Sequence, residues 1–217
     1  MIIKWFGHSC FQLTLKNGKS IVIDPYDESV GYELVDEKAD IVLVSHDHHD
    51  HSYVKSIRGD YKLIRGAGEY QDDCVKITGV SLYHDNQKGA QRGQVVVNTI
   101  EAEGIRVMHM SDIGSVPDTS FFENAGKIDI LMIPVGGFYT VDAQGALEII
   151  DKMKPNITIP MHYLTSVSKL TVLKGVHEFT ALARKEYDIS RLGGSSLEIT
   201  ADTLKKRQRI VVMDHAN

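Results

Sequence analysis

His46-Asp47-His48-His49-Asp50-His51 places four histidines and two aspartates in consecutive positions, one residue after the apolar run Ile41-Val42-Leu43-Val44. A short apolar run of this kind predicts a buried strand. Side chains two residues apart on an extended segment point the same way, so His46 and His48 can bind one metal ion. The last two residues of the stretch follow the start of a turn and can face a second ion beside the first.

Imidazole together with carboxylate is the ligand set that Zn²⁺ and its first-row neighbours favour. The alternative explanation of the stretch is a histidine-rich surface loop or a purification tag. A tag lies at a terminus, whereas this stretch is internal and follows a predicted strand. We therefore interpret it as a metal site, although ligand type alone does not choose among zinc, manganese and iron.

The composition is that of an ordinary globular protein, with 217 residues of which 42% are hydrophobic and 24% charged. A chain of this length forms one large domain or two small ones and can bury a substantial core. It contains no Pro/Ser-rich linker, charge run or low-complexity segment, so we predict a single domain over residues 1–217. The net charge of −5 argues against nucleic acid as the main partner, while leaving room for a local basic patch.

The cysteines and the apolar segments indicate the cellular compartment in which the protein is expected. The two cysteines, Cys10 and Cys74, are far apart and outside any C-x-x-C pattern, so a disulfide framework is not expected. No apolar stretch reaches the ~18 residues that span a bilayer, and residues 1–8 lack the features of a signal peptide. We expect a cytoplasmic protein without a membrane partner.

Short runs rich in valine and isoleucine predict strands by their length and β-branching. These runs are Ser20 to Ile23, Ile41 to Val44, Val75 to Tyr83, Gln94 to Thr99, Ile105 to Met110, Ile128 to Ile133 and Ile157 to Met161. Helical periodicity predicts helices over Asp142 to Lys154, with Asp142 as the N-cap, and over Leu170 to Tyr187. A shorter helix is predicted to begin at Asp50 or Ser52 and to end at Ile57. Hairpin-paired strands followed by strand–helix alternation indicate two sheets with helices outside.

Polar side chains that suit metal binding follow these runs. Asp24, His46, His84, Asp112 and His162 each come at or just after the end of a different predicted strand. Strands that end together at one edge of a sheet place such residues around a common cleft. One histidine after a strand is usually a loop or core residue, but five such residues after five strands predict a shared site.

The chain resembles the metallo-β-lactamase-fold hydrolases, and most closely the bacterial metal-dependent hydrolases that include ascorbate-6-phosphate lactonase. The resemblance rests on motifs spread over nearly the whole chain: Gly7-His8-Ser9, Ile23-Asp24-Pro25, Ser45 to His51, Tyr83-His84-Asp85, Ser111-Asp112, Ile133-Pro134-Val135-Gly136-Gly137 and Pro160-Met161-His162-Tyr163. It implies a mixed α/β (α+β) fold, a four-layer αββα sandwich, with two metal ions at one edge.

The resemblance also implies a ligand set, transferred position by position. The first ion would be held by His46, His48 and His84, the second by Asp50, His51 and His162, and both by Asp112. Asp24 would support the site by orienting a ligand, or else is simply a turn residue before Pro25. His8 lies near the site in relatives without being a regular ligand, and we interpret it as a structural histidine. The histidines that match no motif position are expected to be non-ligands: His49, His109, His177 and His215.

One position departs from the pattern of related sequences, and two further features narrow the class. Relatives commonly have glycine before the bridging aspartate, where this chain has Ser111, which puts the geometry around Asp112 in question. His48 stands where flavin-linked di-iron relatives carry a carboxylate, which disfavours reduction of oxygen or nitric oxide. No cysteine occupies a ligand position, unlike in some zinc β-lactamases.

The resulting functional hypothesis is a dinuclear metal hydrolase with two divalent ions per chain, Zn²⁺ first and Mn²⁺ or Fe²⁺ as alternatives. A metal-bridging hydroxide would attack a small ester, lactone or phosphodiester, with Asp50 orienting the nucleophile and carrying its proton. Lys88 and Arg92 are candidate contacts for an anionic substrate or are solvated surface cations. A metal-dependent redox or sulfur-handling enzyme and a non-catalytic metal-binding protein are the alternatives, and the oligomeric state, including a homo-oligomer, stays open.

Overall fold

The computed structural model describes residues 1–204 and 207–216. Within this part of the chain the strands, in chain order, are β1 (Ile2–Gly7), β2 (Cys10–Thr14), β3 (Ser20–Ile23), β4 (Ile41–Val44), β5 (Lys62–Arg65), β6 (Gly68–Gln71), β7 (Lys76–Tyr83), β8 (Gln94–Ala102), β9 (Ile105–His109), β10 (Ile130–Pro134), β11 (Ile157–Met161), β12 (Asp188–Arg191), β13 (Ser196–Glu198) and β14 (Arg209–Val212). All seven predicted strands are present, with bounds that differ by a few residues at most.

The strands form two sheets. One has the order β13-β1-β2-β3-β4-β5 and the other the order β12-β14-β11-β10-β9-β8-β7-β6. The pairs β3–β4 and β4–β5 are parallel in the first sheet, as are β9–β10 and β10–β11 in the second. Parallel neighbours end at the same edge of a sheet, so the residues that follow these strands are brought together.

The helices are α1 (Thr119–Ala125), α2 (Ala143–Met153), α3 (Val176–Ala183) and α4 (Ala201–Leu204), with 3₁₀ turns at Glu28–Val30 and Val54–Ser56. The predicted N-cap of α2 is confirmed, since a carboxylate oxygen of Asp142 accepts a hydrogen bond from the Gly145 amide at 2.9 Å. No helix in the described ranges is long and apolar enough to cross a membrane.

Two helix predictions were wrong in their extent. The helix predicted over Leu170 to Tyr187 begins only at Val176, because the backbone before it pairs with neighbouring loops. Lys174 donates its amide to Gly136 O at 2.8 Å and accepts from Leu164 N at 2.9 Å. The helix predicted to end at Ile57 is reduced to a single 3₁₀ turn.

The core lies between the two sheets, and alternation along each strand decides which side chains reach it. Ile21 and Ile23 of β3 point into the inter-sheet core, whereas Val22 belongs to a second apolar cluster on the outer face. That outer cluster includes Tyr26 and Val30, from the loop that follows β3. On the other side of the molecule α2 packs against β10, and α3 packs against α2. The two-sheet sandwich agrees with the predicted fold, with 3₁₀ turns and loops as one of its outer layers.

The two sheets are also tied to each other by backbone hydrogen bonds at one edge. Val96 of β8 donates its amide to Ser45 O at 3.0 Å, just after β4. His162, just after β11, donates its amide to His8 O at 3.0 Å, just after β1. This edge therefore carries loops from both sheets in fixed positions.

Gly114 marks a close backbone approach along this edge. Its amide donates to Tyr83 O at 3.0 Å. A Cβ added at Gly114 would lie 2.2 Å from Asp85 N and 2.3 Å from the carbonyl carbon of His84. These neighbours are backbone atoms, so they cannot move aside as a flexible side chain can.

We therefore expect Gly114→Ala to destabilise the protein by about 1–3 kcal/mol or more, as overpacking at a rigid site does. The measurement is the free energy of unfolding from urea titration. Gly194→Ala is the matched control, since no atom lies within 4 Å of its added Cβ, and it should change stability by less than about 0.5 kcal/mol. Equal stability of the two variants would contradict the close packing of these loops.

Candidate metal centre

Four non-glycine residues at the shared edge adopt left-handed backbone conformations. His8, Asp24, Ser111 and His162 have φ values of 50°, 48°, 50° and 51°, and each follows a strand. Side chains are strained in this region of φ, and such residues cluster at functional sites. The backbone turns sharply at each of these residues. The side chain of the residue, or that of the residue next to it, then lies at a common cleft.

One group of three imidazoles lies on the side of the cleft next to β4. His46, His48 and His84 place ring nitrogens within 4.8 Å of one another. The shortest separation is 3.1 Å, between Nε2 of His46 and Nδ1 of His48. These are the three residues expected to hold a first metal ion.

A second group contains Asp50, His51 and His162, the residues expected to hold a second ion, and it also contains His8. Its ligand-type atoms lie within 4.8 Å of one another. Nε2 of His8 lies 3.1 Å from Oδ2 of Asp50, and the His8 side chain is almost fully buried. The resemblance placed His8 near the site as a structural histidine and did not indicate its contact with Asp50, which is 42 residues away.

Asp112 lies between the two groups. Its Oδ2 is 3.1 Å from Nε2 of His162, 3.2 Å from Nε2 of His51 and 3.6 Å from Nε2 of His84. Its Oδ1 accepts a long hydrogen bond of 3.4 Å from the Ser9 hydroxyl. One carboxylate oxygen thus faces imidazoles from both groups, which is the place expected for a ligand shared by two ions.

The donor set fits a metal centre by its chemistry. Nitrogen and oxygen donors converge from several loops, and ring nitrogens of His46 and His51 and a carboxylate oxygen of Asp112 also lie within 4.8 Å of one another. In the described ranges, Nε2 of His51 is buried and lies 3.2 Å from Oδ2 of Asp112 without forming a well-aligned hydrogen bond. A buried nitrogen left unpaired is costly, and a metal ion would satisfy it.

The protonation states of Asp112 and His46 also suit metal binding. Burial alone would raise the pKa of Asp112, but His162 and His51 hold it well below its usual range. Burial and the neighbouring His51 lower the pKa of His46 to about 3. Burial would lower the pKa of His51 as well, yet the carboxylates of Asp112 and Asp50 raise it well above its usual value. At neutral pH, Asp112 is ionised and His46 is neutral, the states in which carboxylate and imidazole bind metals.

Asp24 is fully buried and makes three hydrogen bonds within the cleft. Its Oδ1 accepts from the Ser45 amide at 2.8 Å, and its Oδ2 accepts from the Ser45 hydroxyl at 2.6 Å. Nδ1 of His51 lies 3.0 Å from the same Oδ2. This geometry favours the orienting role of Asp24 over that of a simple turn residue, since it leaves Nε2 of His51 facing Asp112.

The four histidines expected to be non-ligands lie apart from the two groups. His49 is exposed, and His215 packs its ring against Trp5. His109 is buried, with Nε2 2.9 Å from Ser9 O and Nδ1 accepting the Ser111 amide at 3.2 Å. His177 lies at the start of α3.

The loops beside the cleft carry aromatic and cationic side chains. The Arg92 guanidinium lies over the Tyr139 ring, 5.4 Å from its centroid. Phe138 is 63% exposed and has a left-handed φ of 60°. Asp85 fixes the loop that carries Arg92, since it accepts four backbone hydrogen bonds of 2.8–2.9 Å from residues 87–92.

Comparison with known proteins agrees with this architecture. A family model described as a beta-lactamase superfamily domain matches residues 2–162. A UPF0173 protein of Pyrococcus abyssi is 32% identical, with 76% of this chain and 84% of the relative covered. A UPF0173 metal-dependent hydrolase of Thermoplasma acidophilum is 30% identical, with 75% and 83% covered.

A solved structure gives the same result over the full length. The protein is from Thermotoga maritima and is attributed to the Zn-dependent hydrolases of the metallo-β-lactamase superfamily. It superposes with a TM-score of 0.80 at 35% identity and with 99% of each chain covered. The resemblance deduced from the motifs is confirmed at the level of the superfamily, while the nearer likeness to the branch that includes ascorbate-6-phosphate lactonase stays a prediction. The chain belongs to the UPF0173 metal-dependent hydrolases of the metallo-β-lactamase superfamily.

Proposed function

We propose that this metal-dependent hydrolase uses two divalent metal ions to hydrolyse a small anionic ester, lactone or phosphodiester. The observation that carries the proposal is the position of Asp112, whose Oδ2 lies within 3.6 Å of imidazole nitrogens from both ligand groups. A shared carboxylate of this kind suits a pair of ions better than a single one. The lactone is included because the motifs resemble those of the branch that includes ascorbate-6-phosphate lactonase.

In this proposal His46, His48 and His84 hold one ion, Asp50, His51 and His162 hold the other, and Asp112 binds both. The donor set suits Zn²⁺ best, and Mn²⁺ or Fe²⁺ are also compatible with it. Bound ions would lower the pKa of a shared water from about 15.7 toward ~7 and polarise the oxygen of the group under attack.

Asp50 is the proposed proton carrier. Burial alone would raise its pKa, but His51 and His8 hold it far below the usual range, so the carboxylate is ionised at neutral pH. Its Oδ2 lies 3.1 Å from Nε2 of His8 and 3.7 Å from Nε2 of His51. An ionised, half-buried carboxylate in this place can accept a proton from a water held beside it.

The proposed substrate class follows from the cleft's surroundings. Arg92 and Lys88, on the loop that follows His84, offer cationic contacts to an anionic group, and Phe138 and Tyr139 offer flat apolar surface. The chain's net charge of −5 disfavours nucleic acid as a partner.

Cys10 and Cys74 form no disulfide, which supports a reducing cytoplasm as the proposed compartment. A homo-oligomer is compatible with these features.

The proposed ligand set predicts a metal content close to two ions per chain. Elemental analysis of untagged, metal-replete protein measures it. His46→Ala should deplete mainly one site, while His49→Ala, which removes an exposed histidine of the same loop, should leave the content unchanged. A content that stays near zero when metal is supplied would overturn the dinuclear centre, and a strong preference for iron would favour the redox alternative.

Activity is tested with a substrate panel of lactones, phosphodiesters, thioesters and nucleotides. We expect hydrolysis of at least one small anionic member, abolished by chelation and restored by Zn²⁺ or Mn²⁺, because the nucleophile depends on bound metal. A product profile by mass spectrometry identifies the bond broken. Hydrolysis that survives complete metal removal would contradict the proposed mechanism.

Asp50→Asn should reduce catalysis more than metal binding. The variant keeps the shape and one coordinating oxygen but removes the charge, and losing a positioned general base typically costs ~10²–10⁴ in rate. The measurement is kcat together with metal content on one preparation. Asp47→Asn makes the same chemical change at an exposed position of the same loop and serves as the control. If kcat falls only in proportion to lost metal, Asp50 is a ligand alone.

A further inference from the structure

Ser111 occupies a position where a side chain is strained. It precedes Asp112, is fully buried and has a φ of 50°. Glycine adopts this conformation freely, whereas serine does so at an energetic cost. The position of its hydroxyl indicates what the serine contributes there.

The Ser111 hydroxyl donates a hydrogen bond to the Ser45 hydroxyl at 2.6 Å. The two residues are 66 positions apart, one in each sheet's set of loops, and both are buried. The Ser111 backbone is held from the opposite side, since its amide donates to Nδ1 of His109. The hydroxyl is therefore directed at Ser45 by a fixed backbone.

The Ser45 hydroxyl has one donor and two acceptor positions, and its surroundings use all three. It donates to Oδ2 of Asp24 at 2.6 Å and accepts from Ser111. The remaining lone pair faces Nδ1 of His46 at 2.9 Å. His46 must then carry its proton on Nδ1, which leaves its Nε2 lone pair directed at His48, where the first ion is proposed to bind.

The same carboxylate oxygen of Asp24 orders the second group. Nδ1 of His51 lies 3.0 Å from it, so the proton of His51 is also held on Nδ1 and Nε2 faces Asp112. One buried aspartate thus holds a proton on Nδ1 of one histidine in each ligand group. It acts directly on His51 and through Ser45 on His46.

Ser111 influences which partner the Ser45 hydroxyl donates to, and so affects the tautomer of His46. If the Ser45 hydroxyl turned its proton from Asp24 to Nδ1 of His46, the histidine's own proton would move to Nε2 and block that atom as a ligand. A hydroxyl that accepts a hydrogen bond is polarised and becomes a stronger donor. Donation from Ser111 therefore strengthens the bond from Ser45 to Asp24 and favours the tautomer that binds metal.

We propose that Ser111 is a positioning residue, whose hydroxyl acts through Ser45 and Asp24 to keep Nε2 of His46 available for metal. The proposal rests on the proposed function in that His46 is taken as a ligand. It adds a role for a residue that touches neither metal nor substrate.

The experiment compares Ser111→Gly with Ser111→Ala. Glycine removes the hydroxyl and the backbone strain together, whereas alanine removes the hydroxyl and keeps the strain. We expect both variants to bind Zn²⁺ about 10–100-fold more weakly in chelator competition, the range typical for partners that orient metal ligands. Only Ser111→Gly should raise the melting temperature of the metal-free protein.

Lys154→Gly is the control for strain relief. Lys154 has a φ of 51° at the end of α2, is exposed and lies outside both ligand groups. It should raise the melting temperature without changing metal affinity. Zn²⁺ affinity of Ser111→Gly equal to that of the unmodified protein would overturn the proposal.

Imidazole ¹⁵N chemical shifts of the metal-free protein give a second readout, which does not depend on metal binding. We expect Nδ1-protonated His46 in the unmodified chain, and a shift of His46 toward the Nε2-protonated form in Ser111→Gly. An unchanged His46 tautomer would overturn the role of Ser111 even if affinity fell. If the unmodified chain shows the expected tautomer of His46 but binds fewer than two ions, the dinuclear proposal fails and the tautomer comparison still decides the role of Ser111.

Discussion

The carboxylate of Asp112 is buried among imidazoles that come from three different loops, and the arrangement of the cleft depends on stabilising that charge. An isolated carboxylate in such a place would be protonated rather than remain ionised. His51 and His162, at 3.2 and 3.1 Å, supply the compensating interaction. Each of these residues lies after the end of a different strand. The strands of both sheets must therefore be positioned so that the imidazoles reach the Asp112 carboxylate.

The backbone at this edge is strained as a consequence. Asp24 and His162 adopt left-handed conformations directly after β3 and β11. These conformations are strained for any residue with a Cβ, so the surrounding packing must hold them. The strands before them are fully buried, and backbone hydrogen bonds such as that from His162 N to His8 O cross between the two sheets. The packing free energy of the large inter-sheet core therefore offsets the cost of the strained backbone that forms the cleft.

The structural features that depend on neighbouring residues in the sequence could be predicted. Ile41 to Val44 was recognisable as a strand by its β-branching, and Asp142 as an N-cap by its place before a periodic apolar pattern. The start of α3 could not be predicted in this way. The helical pattern continues back to Leu170, but Lys174 forms backbone hydrogen bonds with Gly136 and Leu164, and those partners are determined only by tertiary packing.

The same distinction holds in the cleft. His46 and His48 are two positions apart, so their shared orientation follows from strand geometry alone. The contact between His8 and Asp50 does not, since β1 must first pair with β2, and β2 with β3, before the loop after β4 can approach it. Ser111 is a further example. The sequence marked it only as a serine at a position where relatives commonly have glycine, and this did not indicate its role. Its partner Ser45 belongs to the other sheet, so a hydrogen bond between two ordinary serines becomes interpretable only when both strand ends are placed.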